Sequence, residues 1–205
     1  MKVYLVNGSP NEHGCTDRAL EEVRAQLEAE GIGAVIYWIG RTVRGCTACG
    51  GCETLGRCVF DDQVPAFAAL AEDADGFVFG SPVYYGGAAG GMVSFLNRLF
   101  YSSGDVFRSK VAASVVSCRR GGATETFGEM NMHYLMNNML VVGSQYWNQV
   151  HGLRREDVER DLEGLQTMRT LARNMAWVLK CLDAGKKAGV APPEAEPPVF
   201  TNFIR

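Results

Sequence analysis

The sequence predicts one α/β domain: a five-stranded parallel sheet with helices on both faces. Five short runs rich in Val, Ile, Phe or Tyr alternate with segments of helical periodicity, as parallel strands joined by crossover helices do. The chain has 205 residues, of which 47% are hydrophobic and 21% charged. That is enough apolar material for one full core and too much for a disordered chain.

Strands are expected at 2–7, 34–39, 76–80, 110–117 and 139–143, each as apolar as a strand covered on both faces should be. The first helix is expected over 16–30, where Leu20, Val23 and Leu27 recur at helical spacing and Gly31 supplies a C-cap. Two more are expected over 62–72 and 90–101. A long terminal helix over 156–182 aligns Leu162, Leu165, Met168, Leu171, Met175 and Leu179 on one face. The domain then spans 1–184, and 185–205 is a Pro-rich linker with an apolar tail. No internal repeat is found. Two long segments fit no element: 41–61, which carries four cysteines, and 121–138, with Met130, Met132, Met136, Phe127 and Tyr134. Long loops in a small domain usually carry function.

A formal charge of −3 argues against general nucleic-acid binding. No apolar stretch reaches the ~18 residues of a membrane span, and the apolar start of the chain is too short for a secretory signal. A cytoplasmic location is therefore expected. In that reducing compartment a tight cluster among the seven cysteines points to metal or redox chemistry rather than disulfides.

The first strand runs straight into Gly8-Ser9-Pro10-Asn11-Glu12-His13-Gly14-Cys15-Thr16 and the first helix. Free N–H groups at such a helix start, with the Ser9 and Thr16 hydroxyls, can surround a phosphate. Neither GxxxxGK[ST] nor GxGxxG is present. The loop alone leaves two readings open, a phosphate cradle and a plain turn capped by Thr16. The third strand ends in Gly80-Ser81-Pro82-Val83-Tyr84-Tyr85-Gly86-Gly87, and the fourth in Ser117-Cys118-Arg119-Arg120-Gly121-Gly122. Proline stops the ladder, tyrosines offer stacking surface, and glycines permit close backbone approach. In a parallel sheet all three loops face one edge, which favours a planar phosphorylated cofactor over three unrelated turns. Arg119 and Arg120 read as its partners or as a solvated pair.

Together, Gly8-Ser9-Pro10, Ser81-Pro82-Val83-Tyr84-Tyr85-Gly86 and Arg119-Arg120-Gly121-Gly122 resemble the NADPH-dependent FMN reductase group of the flavodoxin-like superfamily. The similarity runs on through Val142-Gly143-Ser144 to Thr201-Asn202-Phe203-Ile204-Arg205. The resemblance implies a three-layer flavodoxin-like sandwich with strand order 2-1-3-4-5. It also implies bound flavin mononucleotide (FMN). Ser9, Asn11, Cys15 and Thr16 would hold its phosphate, and Pro82, Val83, Tyr84, Tyr85 and Gly86 its ribityl chain and ring. Arg119, Arg120, Gly121 and Gly122 would approach its pyrimidine edge. The group often has a basic residue after its GSP turn and Asn before the Thr. Asn11 and Cys15 stand there instead, which leaves the phosphate charge to the helix dipole, His13 or Arg18. No side chain is assigned a catalytic role, because the redox chemistry belongs to the flavin. The implied activity is NAD(P)H-driven reduction of a quinone, flavin or other small acceptor.

Cys46-Thr47-Ala48-Cys49-Gly50-Gly51-Cys52, followed by Cys58, places four thiols within thirteen positions. Thiolates that close repel unless a cation or cluster neutralises them. Zinc ribbons use two separate CxxC knuckles, whereas an overlapping CxxCxxC suits the corners of a cubane. The spacing resembles that of iron–sulfur flavoproteins, a branch of the same group. This implies that Cys46, Cys49, Cys52 and Cys58 ligate a [4Fe–4S] cluster fed by ferredoxin. The alternative is a loop of free thiols. Cys15, Cys118 and Cys181 are scattered, with Cys181 expected to be a small buried hydrophobe. His133 and His151 receive no role.

Helix three carries Met92, Phe95, Leu96, Leu99, Phe100 and Tyr101, read equally as a subunit interface or a core face. The resemblance implies a homodimer or homotetramer. Tyr146-Trp147-Asn148 and the tail through Phe203 would then cover a flavin or cysteine loop of a neighbouring chain. Three functions remain open: an NAD(P)H-driven reductase, an electron carrier relaying single electrons from ferredoxin, and a regulatory module without turnover.

Overall fold

In a computed structural model that describes residues 1–201, the five apolar runs assemble into the expected sheet. Strand β1 (Lys2–Asn7) pairs in parallel with β2 (Gly33–Trp38) and β3 (Gly76–Tyr84). β3 pairs in parallel with β5 (Val111–Cys118), and a two-residue β4 (Gly87–Ala88) folds back on its end. The order is β2-β1-β3-β5-β6, the expected 2-1-3-4-5 once the short β4 is set aside. Every residue of β5 is buried, because helices cover both its faces.

The fifth position differs from expectation. Only β6 (Leu140–Val141) forms where 139–143 was expected, and β7 (Gln149–His151) then pairs with the far end of β5. Asn148 bridges the two by donating from its side chain to Ser114 O at 3.0 Å and accepting from Val116 N at 2.9 Å.

On one face, α1 (Cys15–Ala29) and α7 (Leu162–Lys187) bury Leu20, Val23, Leu27, Met168, Leu171 and Met175. On the other, α3 (Gln63–Ala71), α4 (Gly90–Ser103) and α5 (Ala123–Met136) enclose an aromatic cluster. Phe67 packs edge-on to Tyr4, and Phe79 stacks on Tyr134 with centroids 5.2 Å apart. Asp62 caps α3 by accepting from Val64 N at 3.1 Å.

Three expectations are corrected and one open alternative is resolved. The segment 121–138 is not a loop: α5 forms because Ala123, Phe127, Met130 and Tyr134 share one helical face against the sheet, although Gly128 lowers its intrinsic propensity. The terminal helix is broken into α6 (Arg155–Val158) and α7, since Asp161 turns inward to cap α7 at Gly164 N (2.9 Å) and also accepts from His151 N. Cys181 is exposed, on the outer side of α7. On α4, Met92, Phe95, Leu96 and Leu99 are fully buried in the chain's own core, so the core reading of that helix holds and only Tyr101 faces out. Helix α7 also runs three residues past the expected boundary at 184, and 190–201 has no regular structure. The tail end through Phe203, expected to cover a cofactor, lies outside the described residues from 202 onward. Among the described residues no helix is long and apolar enough to cross a membrane.

Candidate functional site

Strand register brings the expected loops to one rim. Asn7 sits opposite Gly80, Pro82 opposite Ser117, and Ser117 opposite Val150, so β1, β3, β5 and β7 end side by side. The joins are direct. Gly8 N donates to Gly80 O at 2.8 Å, and the Thr16 and Ser117 hydroxyls lie 2.8 Å apart. At Gly122, with φ +86°, a Cβ would come within 2.7 Å of Val83 Cγ1 and 3.3 Å of the Gly86 Cα. Only glycine lets the third loop rest on the second there. Gly8 is as tight, its imagined Cβ 2.4 Å from Met92 Cε.

At the first loop, α1 begins at Cys15 behind Gly14, and no side chain caps it. Thr16 is therefore inside the helix, not its cap. The N–H groups of Cys15, Thr16 and Asp17 have no partner among the described residues. They form a donor cluster at the positive end of a helix dipole, which suits an anion. Ser9, buried beside it, accepts from Asn11 N at 3.1 Å and keeps its own proton free. Arg18 does not serve this end: its guanidinium is committed to Glu22 and Glu159. Asp17, buried next door, is paired with Arg155 at 2.8 Å and lies 3.4 Å from His13. Arg charges thus cancel against carboxylates, and the backbone N–H groups are the uncommitted donors at this end. Burial, followed by the nearby Asp157 carboxylate, pushes the Cys15 thiol up. It stays protonated and donates to Gly152 O.

The second loop is pinned at its base and open at its tip. Ala89 N donates to Ser81 Oγ at 3.0 Å, and Ala88 N to Glu129 of α5 at 3.0 Å. Tyr84 is half exposed, and Tyr85, in a left-handed conformation at φ 58°, stands fully in solvent. A left-handed conformation at a non-glycine residue costs backbone energy, and here it holds the ring out from the rim. Arg119 and Arg120 are exposed, and neither side chain has a hydrogen bond or ion pair among the described residues. Both are available to an anionic ring edge.

The rim also contains parts not expected from the sequence. Trp147, Gln149, His151, Asp161 and Thr167 line a polar cavity of about 230 Å³, and Gln149 Oε1 is buried with no partner among the described residues. No spacing signals it, because β7 returns to the rim only after the bulge at 142–148.

The four clustered cysteines share a second cavity of about 230 Å³, with Phe60 and Arg98 on its wall. A short helix α2 (Gly51–Leu55) follows left-handed residues Ala48 and Gly50, and these turns aim Cys46, Cys49 and Cys52 to one side. Cys46 Sγ accepts from Ala48 N at 3.5 Å, a backbone N–H···S bond of the kind that orients a thiolate ligand. Cys58 is buried and accepts from Arg98, whose guanidinium also grips Asp62 at 2.7 and 2.9 Å. Burial pushes Asp62 up, but the Arg98 bonds and Val64 N–H outweigh it, and the carboxyl stays below its ordinary value. Among the described residues no three ligand groups gather around one point as a single ion needs. A cubane would take each thiolate at a separate iron, and four cysteines lining one cavity are the donor set that such a cluster uses.

The family model for NADPH-dependent FMN reductases matches residues 1–152. The chain belongs to that family. An iron–sulfur flavoprotein of Methanocaldococcus jannaschii is 30% identical over 191 residues, covering 89% of this chain and 99% of the relative. One from Methanosarcina thermophila is 25% identical over 191 residues, covering 91% and 99%. Among solved structures, RosB with a bound 8-demethyl-8-formylriboflavin-5'-phosphate superposes with a TM-score of 0.70 at 13% identity, covering 100% of this chain and 92% of RosB. A WrbA-like flavodoxin from Agrobacterium tumefaciens gives 0.62 at 19% identity over 88% and 98%. These likenesses establish the flavodoxin-like fold. In this FMN reductase family member, Ser9, Cys15, Thr16, Pro82 to Gly86 and Arg119 to Gly122 lie along one rim, and Asn11 sits exposed at its outer lip. Cys46, Cys49, Cys52 and Cys58 lie at the other cavity.

Proposed function

We propose that this family member is an FMN-dependent oxidoreductase that carries a [4Fe–4S] cluster and takes single electrons from a reduced ferredoxin-like donor. The observation that carries this reading is the shared cavity of Cys46, Cys49, Cys52 and Cys58, in a chain whose relatives are named iron–sulfur flavoproteins along nearly their whole length. Bound FMN supplies one- and two-electron chemistry and a cluster supplies one-electron chemistry, so the pair can join one-electron donors to two-electron acceptors.

The chain's residues do the holding. The α1 N-terminus and Ser9 take the phosphate, and Pro82 to Gly86 line the ring. Arg119, Arg120 and the N–H groups around Gly121 and Gly122 stabilise negative charge at the pyrimidine edge. Both sites share helix α4. It leaves the second rim loop at Gly90 and reaches the cysteine cavity at Arg98 and Tyr101, a rise of about 12 Å over eight residues to Arg98. One rigid element thus fixes the spacing of the two sites.

The second reading, NAD(P)H-driven reduction of a quinone or flavin, draws on the solvent-facing Tyr84 and Tyr85, which leave a flavin face open to a nicotinamide. Anaerobic reconstitution followed by iron, sulfide and FMN analysis separates the two, with rapid mixing against reduced ferredoxin and against NADPH. About four irons and one FMN per chain, with bleaching by ferredoxin, is the expected result. Iron-free protein that bleaches with NADPH would leave the reductase reading alone standing.

A further inference from the structure

Of the four clustered cysteines, Cys58 is the buried one, and among the described residues it is the one with a charged partner. Arg98 Nε and Nη2 lie 3.3 and 3.1 Å from Cys58 Sγ. The other edge of the guanidinium takes Asp62, and Nη1 also donates to Arg44 O at 3.1 Å. Arg98 is 2% exposed, on a helix packed into the core. Burying a guanidinium is costly unless its donors are met. A structural pair with Asp62 would use one edge of the fork; here the second edge is spent on sulfur. Phe60 lies 5.0 Å from the cation, with Arg44 on the same ring at 4.6 Å, so an aromatic face packs against the guanidinium.

We propose that Arg98 is a positioning residue for the iron–sulfur centre: it fixes Cys58 as the anchored corner and raises the centre's one-electron reduction potential. The proposal rests on the cluster reading above. Charge-assisted N–H bonds to a ligand sulfur stabilise the more negative, reduced form more than the oxidised one. Asp62 holds the fork in place and cancels part of its charge, so it opposes the effect. Cys46, Cys49 and Cys52, carried on a loop open to solvent, close onto a corner that already exists.

The test is a redox titration of the anaerobically reconstituted protein, followed by cluster absorbance and paramagnetic signal. Arg98→Leu should lower the midpoint by at least a tenfold change in the reduced-to-oxidised ratio, about 59 mV for one electron. Arg98→Lys, which keeps the charge and loses the Nε donor, should fall between. Asp62→Asn should move the midpoint upward. If Arg98→Leu fails to fold, the Lys and Asn variants carry the test by their opposite signs. A second readout needs no cluster: in iron-free protein, iodoacetamide should label Cys58 at least tenfold more slowly than Cys46, and Arg98→Lys should narrow that gap. Wild-type protein that takes up no iron removes the cluster reading itself. Full iron uptake with all midpoints at the wild-type value removes the role of Arg98 alone.

Discussion

The rim and the cysteine cavity are built on opposite principles. The rim is made by the sheet: three loops leave neighbouring strands in fixed register and are stitched by Gly8 N to Gly80 O, by the Thr16–Ser117 hydroxyl pair and by Gly122 seated on the second loop. Its donors are in place before any ligand arrives. The cysteine cavity is made by a loop, 41–61, in which Cys46 and Cys49 are exposed and the short α2 buries no residue. Its fixed point is the Arg98–Cys58–Asp62 corner. A preformed site binds its ligand with little ordering cost. A loop site draws its order from the bound group, so binding energy there becomes folding energy.

The sharpest way to break this contrast is to cross the two sites. Cys52→Ser should abolish most iron uptake on reconstitution and leave FMN content unchanged. Gly122→Val forces a side chain into the left-handed φ and onto Val83. At about 1–3 kcal/mol for such overpacking, FMN should bind roughly ten- to a hundredfold more weakly, with iron uptake intact. Loss of both cofactors in either variant would show one coupled site. A smaller effect sharpens the loop side. Chelating the iron should expose 41–61 to limited proteolysis within the Arg41 to Arg57 stretch, while the rim and its FMN survive; equal cleavage with and without iron would mean the loop is ordered on its own.

The smallest effect lies far from both sites, where α1 meets α7. Glu22 sits between Arg18 and Arg169 with its side chain 17% exposed. Burial pushes its carboxyl up, but the bonds from Arg169 and Arg18 outweigh that and hold it below the ordinary value. Its stabilisation is therefore full above the ordinary glutamate range and lost as pH falls through the lowered value. Solvent screens such a pair, so Glu22→Gln should cost about 1 kcal/mol at pH 7. The variant and the parent should converge in urea unfolding once the pH lies below that lowered value. A difference that persists in acid would assign the effect to packing.

Most of the scaffold could be read from residues alone, because its signals are local. Val3 to Val6 and Phe77 to Phe79 are continuous apolar runs, and Val111 to Val116 is broken only by Ser114, as suits strands covered on both faces. The GSP, SPVYYGG and RRGG turns declared themselves at strand ends, where a parallel sheet must gather them. Helix α5 was not legible: Gly128, Thr124 and Asn131 dilute its propensity, and its inner face gains its value only against β5, where the Ser114 hydroxyl meets Tyr134. The break at Asp161 was hidden for a similar reason, since an aspartate cap inside an amphipathic run gains its value only once His151 and Gly164 are beside it.

What the sequence determined by itself is the set of chemical parts: a phosphate-sized turn, an aromatic and glycine loop, a pair of arginines and four thiols at cubane spacing. Each depends on residues within thirteen positions of one another. What only the tertiary structure decided is which charges are free to act. Arg18, in reach of the phosphate by sequence, is spent on Glu22 and Glu159, whereas Arg98, forty positions from Cys58, is delivered to its sulfur by helix α4. Pairing between charges is a matter of distance in space, and the folded sheet alone sets that distance.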